Sequence, residues 1–263
     1  MEQGSQAWHE WRKQGIGASE MAAIMGLSPY STPMKVWKEK LGLAEAFEGN
    51  FATERGSELE AKARARYELK SMNDFPPALA VHPKYEFLRA SLDGISDDKK
   101  TILEIKVPGK ETHENAKLGI VPDHYMIQIQ MQLLVTGADE CHFFTYSDKD
   151  DSDALVIVQP ILDIQAMIVI EAEKFWNLVK NKIPPPLTDK DEKEFTSGFV
   201  FNLCKSLETS SDKMNKKAAD EIKAQIIKEA GHPRVRCGNV LVTKSVTASG
   251  KDSYRLTIKK DEK

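Results

Sequence analysis

The chain has 263 residues, 41% of them hydrophobic and 29% charged, with a formal net charge of −3. Those values suit a soluble globular protein with one main domain and appendages, and no apolar run approaches the roughly 20 residues that span a bilayer. The weak negative charge denies it the global basic field of many nucleic-acid binders, so such a partner would be held through local patches or by enclosure.

The first residues lack the basic-then-apolar layout of a signal peptide, which leads us to expect an intracellular protein. Cys141, Cys204 and Cys237 form no C-x-x-C pair. They are expected to be reduced structural thiols, with neither a zinc site nor an iron-sulfur cluster.

In chain order, Trp8 to Lys13 predicts a short helix, in which Arg12 taken alone is a surface charge. Ser19 is expected to cap a second helix that Gly26 stops; a helix N-terminus with a free hydroxyl is also an anion site, and both roles stay open. Thr32 and Pro33 start a third helix that Gly42 ends, with Lys35, Lys38 and Lys40 on or near its exposed side. From about Ala52 to Lys70, Leu59, Ala63 and Tyr67 recur at helical spacing. Glu60 beside that stripe is either an i,i+4 partner of Arg64 or an acid facing a site.

Strands are predicted over Leu79 to His82, Phe87 to Leu92 and Ile102 to Val107, with a hairpin turn at Ser96 to Lys100, as an antiparallel meander. After a loop containing Pro108-Gly109 and Val121-Pro122, Asp123 is expected to cap a helix that runs to Gly137. Tyr125, Gln128 and Gln132 form a polar stripe on it, read either as a solvated face or as a functional one. Strands follow at Cys141 to Tyr146 and Ala154 to Gln159, joined by an acidic loop, Asp148 to Asp153, that reads as solvated. An amphipathic helix from about Asp163 to Asn181 stops before Pro184-Pro185-Pro186. This run marks the boundary between an expected domain at 1–183 and an appendage at 184–263, itself predicted as helices around Asp189 to Leu207 and Met214 to Ala230 and a β-hairpin from Val235 to Lys259.

The chemistry concentrates in Ser91-Leu92-Asp93-Gly94 and Leu103-Glu104-Ile105-Lys106. Strand alternation sends Leu103 and Ile105 to one face and Glu104 and Lys106 to the other. One reading makes Glu104 and Lys106 the charged face of an edge strand. The other brings Asp93, Glu104 and Lys106 together as a Mg²⁺ and phosphate site, because a hard divalent cation takes carboxylate oxygens and keeps waters.

Taken together, the chain from Trp8 to about Asn181 resembles the lambda-exonuclease/YqaJ family of phage-type recombination nucleases, within the PD-(D/E)xK superfamily. The resemblance rests on Trp8-His9 with Arg12, Ile16-Gly17-Ala18-Ser19-Glu20, Arg55-Gly56-Ser57-Glu58-Leu59-Glu60, Ser91-Leu92-Asp93-Gly94, Leu103-Glu104-Ile105-Lys106 and Tyr125 to Gln130, in that order. Leu92 departs from the superfamily's proline, at a position that shapes a turn and supplies no ligand.

The resemblance implies a restriction-endonuclease-like α/β (α+β) core, a central mixed sheet flanked by helices. It implies a 5′-to-3′ exonuclease that digests linear duplex DNA from a 5′-phosphorylated end, leaving a 3′ single strand for recombination. By position, Asp93, Glu104, Glu60 and the Ile105 carbonyl would hold Mg²⁺, for which Mn²⁺ can substitute, and Lys106 would be the catalytic lysine. Arg12, Ser19, Ser91 and Gln128 would form a pocket for the 5′-phosphate. It further implies a ring-shaped homotrimer around DNA, a phage or prophage origin in a bacterial cytoplasm, and for the appendage a role as oligomer contact, DNA clamp or docking site for a single-strand annealing protein. An endonuclease or nickase of the same fold, a catalytically inactive DNA-end adaptor and an iron-sulfur relative are the competing expectations, the last opposed by the scattered cysteines.

Overall fold

The strand that ends at Leu92 and the one that begins at Gly94 belong to different sheets, and Asp93 is the residue between them. The computed structural model describes residues 5–44, 51–211 and 213–259, with side chains in the helix from Phe51 described from residue 59 onward. The side chains of Arg55, Ser57 and Glu58 therefore lie outside the described residues. Two compact units divide within the proline run, Met1–Pro185 and Pro186–Lys263.

The first unit contains α1 (Gln6–Lys13), β1 (Ile16–Gly17), α2 (Ala18–Ile24), α3 (Pro33–Lys40), α4 (Phe51–Ser71), β2 (Ala78–Val81), β3 (Leu88–Leu92), β4 (Gly94–Ile95), β5 (Thr101–Lys106), α5 (Lys110–Lys117), α6 (Asp123–Thr136), β6 (Glu140–Ser147), β7 (Ser152–Val158) and α7 (Leu162–Lys180). One sheet runs β1-β3-β2 and the other β4-β5-β6-β7. β3 is parallel to β1 and antiparallel to β2, whereas β5 is antiparallel to β4 and parallel to β6. The expected single meander is thus replaced by two sheets that part at Asp93. Parallel pairing of β5 with β6 needs a long crossover, and α5 and α6 supply it; α5 occupies a stretch that the sequence suggested was loop.

β5 lies inside its sheet, so the edge-strand reading of Glu104 and Lys106 does not hold. On one face Leu103 and Ile105 join Ala63 and Tyr67 of α4, with Phe75, Phe144 and Tyr146. Ile102 on the other face joins the main core with Ile127 and Met131 of α6 and Phe143 of β6. A strand covered on both faces buries whatever polar side chain it carries, and Glu104 is 2% exposed.

α6 is buried around most of its circumference and ends at Gly137, whose φ of 70° closes the helix in the left-handed region. Its N-cap is Pro122, so Asp123 is the first helical residue and not the cap. The acidic loop is engaged by α4: Asp148 pairs with Lys62 at 3.1 Å, and Asp151 and Asp153 pair with Arg66 at 2.9 and 2.5 Å.

The second unit contains β8 (Lys193–Glu194), α8 (Gly198–Ser210), α9 (Lys216–Ala230), β9 (Arg234–Cys237), β10 (Val240–Val246) and β11 (Asp252–Ile258), in a sheet ordered β11-β10-β9-β8. The helix expected from Asp189 begins only at Gly198, after β8, and the expected hairpin is part of a four-stranded sheet. Val200, Cys204, Ile226, Val235 and Val242 form its core. Among the described residues no helix is long and apolar enough to cross a membrane.

Candidate active site

The break between β3 and β4 is held open from two sides. Arg64 of α4 donates through Nη1 to the carbonyls of Asp93 and of Phe75, the latter at 3.0 Å. That occupies Arg64 with the chain break, where the sequence offered it as a partner for Glu60. On the other side the Ile105 N–H donates to Asp93 Oδ2 at 2.7 Å. The carboxylate of Asp93 is thereby fastened to the middle of the Glu104-Ile105-Lys106 run.

Glu104 projects toward α6, where Gln128 and Gln132 stand one turn apart. Gln128 Nε2 donates to Glu104 Oε1 and Gln132 Nε2 to Oε2, each at 2.6 Å, and the Lys106 ammonium pairs with Oε1. A buried carboxylate is tolerated only with such partners. The stripe on α6 is therefore the lining of a buried acid and not a solvated face. Gln132 is fully buried, and its Oε1 is without a hydrogen-bond partner. Gln130, between them, serves the scaffold by bonding the Gln159 carbonyl and the Ile161 N–H at 2.9 and 2.7 Å.

Burial, reinforced by the negative charges of Glu104 and Glu60, pushes the Asp93 carboxyl up to about 7 in spite of Lys106 nearby. Burial alone would discharge the Lys106 ammonium, but Glu104 and Asp93 outweigh it and raise its pKa above the ordinary lysine value. The ammonium also lies 5.5 Å from the centre of the Tyr125 ring.

At the N-terminal side, α2 starts at Ala18 with Gly17 as its N-cap, two positions earlier than expected. Glu20 performs the capping from within the helix by accepting the Gly17 N–H at 2.7 Å, which leaves Ser19 exposed with its hydroxyl free of that duty. Glu20 also accepts Arg12 Nη2 on Oε1 at 2.7 Å and Lys40 Nζ on Oε2 at 2.6 Å. Lys40 is thus buried, contrary to its expected exposure. Burial opposes the charge on Glu20, but Lys40 and Arg12 outweigh it and hold its pKa below the usual carboxylate range. The Arg12 guanidinium stacks 4.7 Å from the Trp8 ring centre.

These parts surround one cavity of about 180 Å³ lined by Arg12, Ser19, Glu60, Ser91, Asp93, Glu104, Ile105, Lys106 and Gln128, together with Trp8, Trp11, Gly17 and Ala18. All nine residues singled out from the sequence reach it. Its wall thus brings together three acids and a lysine with a guanidinium, two hydroxyls and the Gln128 amide. Among the described residues no three His, Cys, Asp or Glu side chains stand close enough to form a ready-made metal cluster. The oxygen donors of Asp93, Glu104 and the Ile105 carbonyl nevertheless fit a hard divalent cation that keeps several waters. Burial and the neighbouring acids hold the Asp93 carboxyl above its ordinary pKa, and a cation bound beside it would favour its charged form. Glu20, Lys40, Arg64 and Gln132 complete the arrangement; Gln132 stands out in the sequence through the stripe and Glu20 through its motif, whereas Arg64 and Lys40 have other expected roles there.

A larger cleft of about 770 Å³ lies against the opposite face of the sheet, lined by Tyr67, Phe75, His142 and Asp153 among others. It shares none of the nine residues.

The model of the YqaJ-like viral recombinase domain matches residues 7–139. The chain is 31% identical over 136 residues to YqaJ of Bacillus subtilis (strain 168), covering 49% of this chain and 43% of that protein. It is 29% identical over 156 residues to protein R354 of Acanthamoeba polyphaga mimivirus, covering 54% of this chain and 28% of the relative. The chain thus spans less than half the length of both relatives. Among solved structures it is similar to the alkaline exonuclease LHK-Exo of Laribacter hongkongensis, with a TM-score of 0.59 and 29% identity over 68% of this chain and 94% of that one. The complex of LHK-Exo with dAMP matches with the same TM-score and 28% identity.

Proposed function

The chain belongs to the YqaJ-like viral recombinase family, and from that premise we propose that it is a divalent-metal-dependent nuclease that digests linear duplex DNA from a 5′-phosphorylated end. The observation that carries this reading is that one cavity is lined both by an acidic, lysine-bearing set and by an anion-binding set of Arg12, Ser19 and Ser91. The likeness to an alkaline exonuclease, also crystallised with a deoxynucleoside monophosphate, supports it.

In this proposal Asp93, Glu104 and the Ile105 carbonyl hold Mg²⁺, or Mn²⁺ in its place, with Glu60 adding negative charge. The cation supplies Lewis-acid stabilisation at the scissile phosphate and lowers the pKa of the attacking water. Lys106, kept charged by its two carboxylate neighbours, stabilises the charge that develops on the phosphate oxygens. Arg12 offers its guanidinium to the terminal phosphate, with Ser19, Ser91 and Gln128 as neutral donors. With the end phosphate and the scissile group both held in one small cavity, the cut falls a fixed distance from the held end, which sets the direction of digestion. Retention of a polyanion by a chain of net charge −3 is assigned to a ring-shaped homo-oligomer enclosing the duplex.

The test is digestion of the same DNA as linear and covalently closed forms, with and without 5′-phosphate and Mg²⁺, beside a measurement of solution mass. Selective loss of the linear, 5′-phosphorylated form in Mg²⁺ is expected. Equal attack on closed circles overturns the exonuclease reading in favour of a nickase; end binding without turnover in Mg²⁺ or Mn²⁺ leaves an inactive adaptor. A monomeric mass removes the ring.

A further inference from the structure

We infer that Lys40, which does not line the cavity, sets the strength of anion binding there by balancing Glu20 and so leaving Arg12 with an uncompensated positive charge. The inference rests on the end-phosphate reading above and names a determinant of it outside the cavity wall.

Arg12 Nη2 is committed to Glu20 Oε1 at 2.7 Å. An isolated arginine-glutamate pair has no net charge, and its attraction for a phosphate would be small. Here the second oxygen of Glu20 is occupied by Lys40 Nζ at 2.6 Å, and the side chains of Lys40 and Glu20 are only 3% and 9% exposed. Lys40 also donates to the Arg12 carbonyl at 2.8 Å. Both of these partners are acceptors, which suits a donor-only ammonium. Burial lowers the Lys40 pKa, with Glu20 and Glu39 opposing it; with all three ionised, the group of Arg12, Glu20 and Lys40 carries one net positive charge. Its only partly open member is Arg12, 27% exposed in its side chain, so the field emerges into the cavity.

The geometry fixes direction as well as charge. Glu20 is pinned a third time by the Gly17 N–H at 2.7 Å, so the carboxylate that grips Arg12 cannot swing. The Trp8 ring supports the other surface of the guanidinium. An arginine fixed before a phosphate arrives loses less rotamer freedom on binding it. Lys40 and Glu20 are positioning residues in this account, since neither touches the phosphate.

The experiment measures the preference for 5′-phosphorylated over 5′-hydroxyl linear duplex in wild type, Lys40→Met, Lys40→Arg and Glu20→Asp, with thermal unfolding of each. Lys40→Met is expected to lower the preference roughly tenfold, the scale of one hydrogen bond to a charged group, and Lys40→Arg to restore most of it. A merely structural lesion reduces the folded fraction, lowers both rates together and leaves the ratio unchanged. Should Lys40→Met not fold, Glu20→Asp carries the test: it keeps the charge but is one methylene too short to hold Lys40 and Arg12 together, and is expected to lower the ratio as well. A folded Lys40→Met, or in its absence a folded Glu20→Asp, with the wild-type ratio overturns the inference. If the wild type treats the two ends alike, the end-phosphate reading itself fails, which is a separate result.

Discussion

Asp93 accepts the backbone N–H of Ile105 at 2.7 Å, and this one bond places the acid from the end of β3 beside both charged residues of β5. The same carboxyl is pushed up to about 7 by burial and by Glu104, so its protonation changes in the range where the protein would work. Its folded-state pKa lies above its ordinary value of 3.8. The stability this group contributes is present in acid and is lost as pH rises through 7.

A metal that replaces the proton should reverse that loss, and its binding should weaken as the proton competes. The rise in melting temperature on adding Mg²⁺ is therefore expected to be larger at pH 8 than at pH 6. Asp93→Asn should abolish the rise while increasing metal-free stability at pH 8. Melting curves at the two pH values check both statements, and an equal Mg²⁺ shift at pH 6 and 8 counts against them.

Burial lowers the pKa of Lys106, but Glu104 and Asp93 outweigh it and raise it, and in the proposed reaction its ammonium stabilises developing charge and does not abstract a proton. Lys106→Ala is expected to reduce kcat by roughly 10²- to 10³-fold, the usual loss when one donor to a developing charge is removed. The wild-type pH profile should show no limb from lysine deprotonation up to about pH 10, near the ordinary lysine value. A rate that rises in step with an ionisation there, and disappears in Lys106→Ala, would instead assign Lys106 as the base.

Gln132 holds the second oxygen of Glu104 from a fully buried position and does not line the cavity. Gln132→Leu keeps similar bulk but leaves a buried carboxylate oxygen without its donor, at a cost of about 1–3 kcal/mol. Urea unfolding should show that loss, with weaker Mg²⁺ binding because Glu104 is no longer fixed. Unchanged stability would mean that Gln132 fills space and nothing more.

How much of this was legible in the sequence depends on the range of the interaction. The nine residues that meet at the cavity were marked by short motifs, because each motif sits on one element and the alternation of a strand or the spacing of a helix orients it. Their convergence was read from the order of the motifs. What the sequence hid lies between elements. Lys40 is at the end of α3, where a lysine normally faces water and the helix dipole, and nothing local announces that Glu20 of α2 waits beside it. Gln132 was visible as part of a stripe, but the choice between water and a buried acid depended on β5 being an inner strand. That in turn depended on the parallel pairing with β6, and the helix α5 that makes the crossover possible is too polar to stand out from a loop. Ser19 was misplaced as a cap because Glu20, three residues after Gly17, does the capping instead.

Gly94 tests the same junction from the backbone. It follows Asp93 directly, and a Cβ there would meet the Cβ and carbonyl oxygen of Phe75 at 2.7 Å each. The Phe75 carbonyl is held by Arg64, which also binds the Asp93 carbonyl, so it cannot yield without loosening the clamp on the chain break. Gly94→Ala is expected to cost about 1–3 kcal/mol, in line with other overpacked interiors, and to reduce activity more than an equal loss of stability elsewhere in the first unit would. The comparison is with Val156→Ala on β7, a partly buried core position away from the cavity. The two variants would be assayed at matched folded fraction. Equal residual activity would show that the junction supports the fold alone; a selective deficit in Gly94→Ala, together with weaker Mg²⁺ binding, would tie the position of Asp93 to the chemistry.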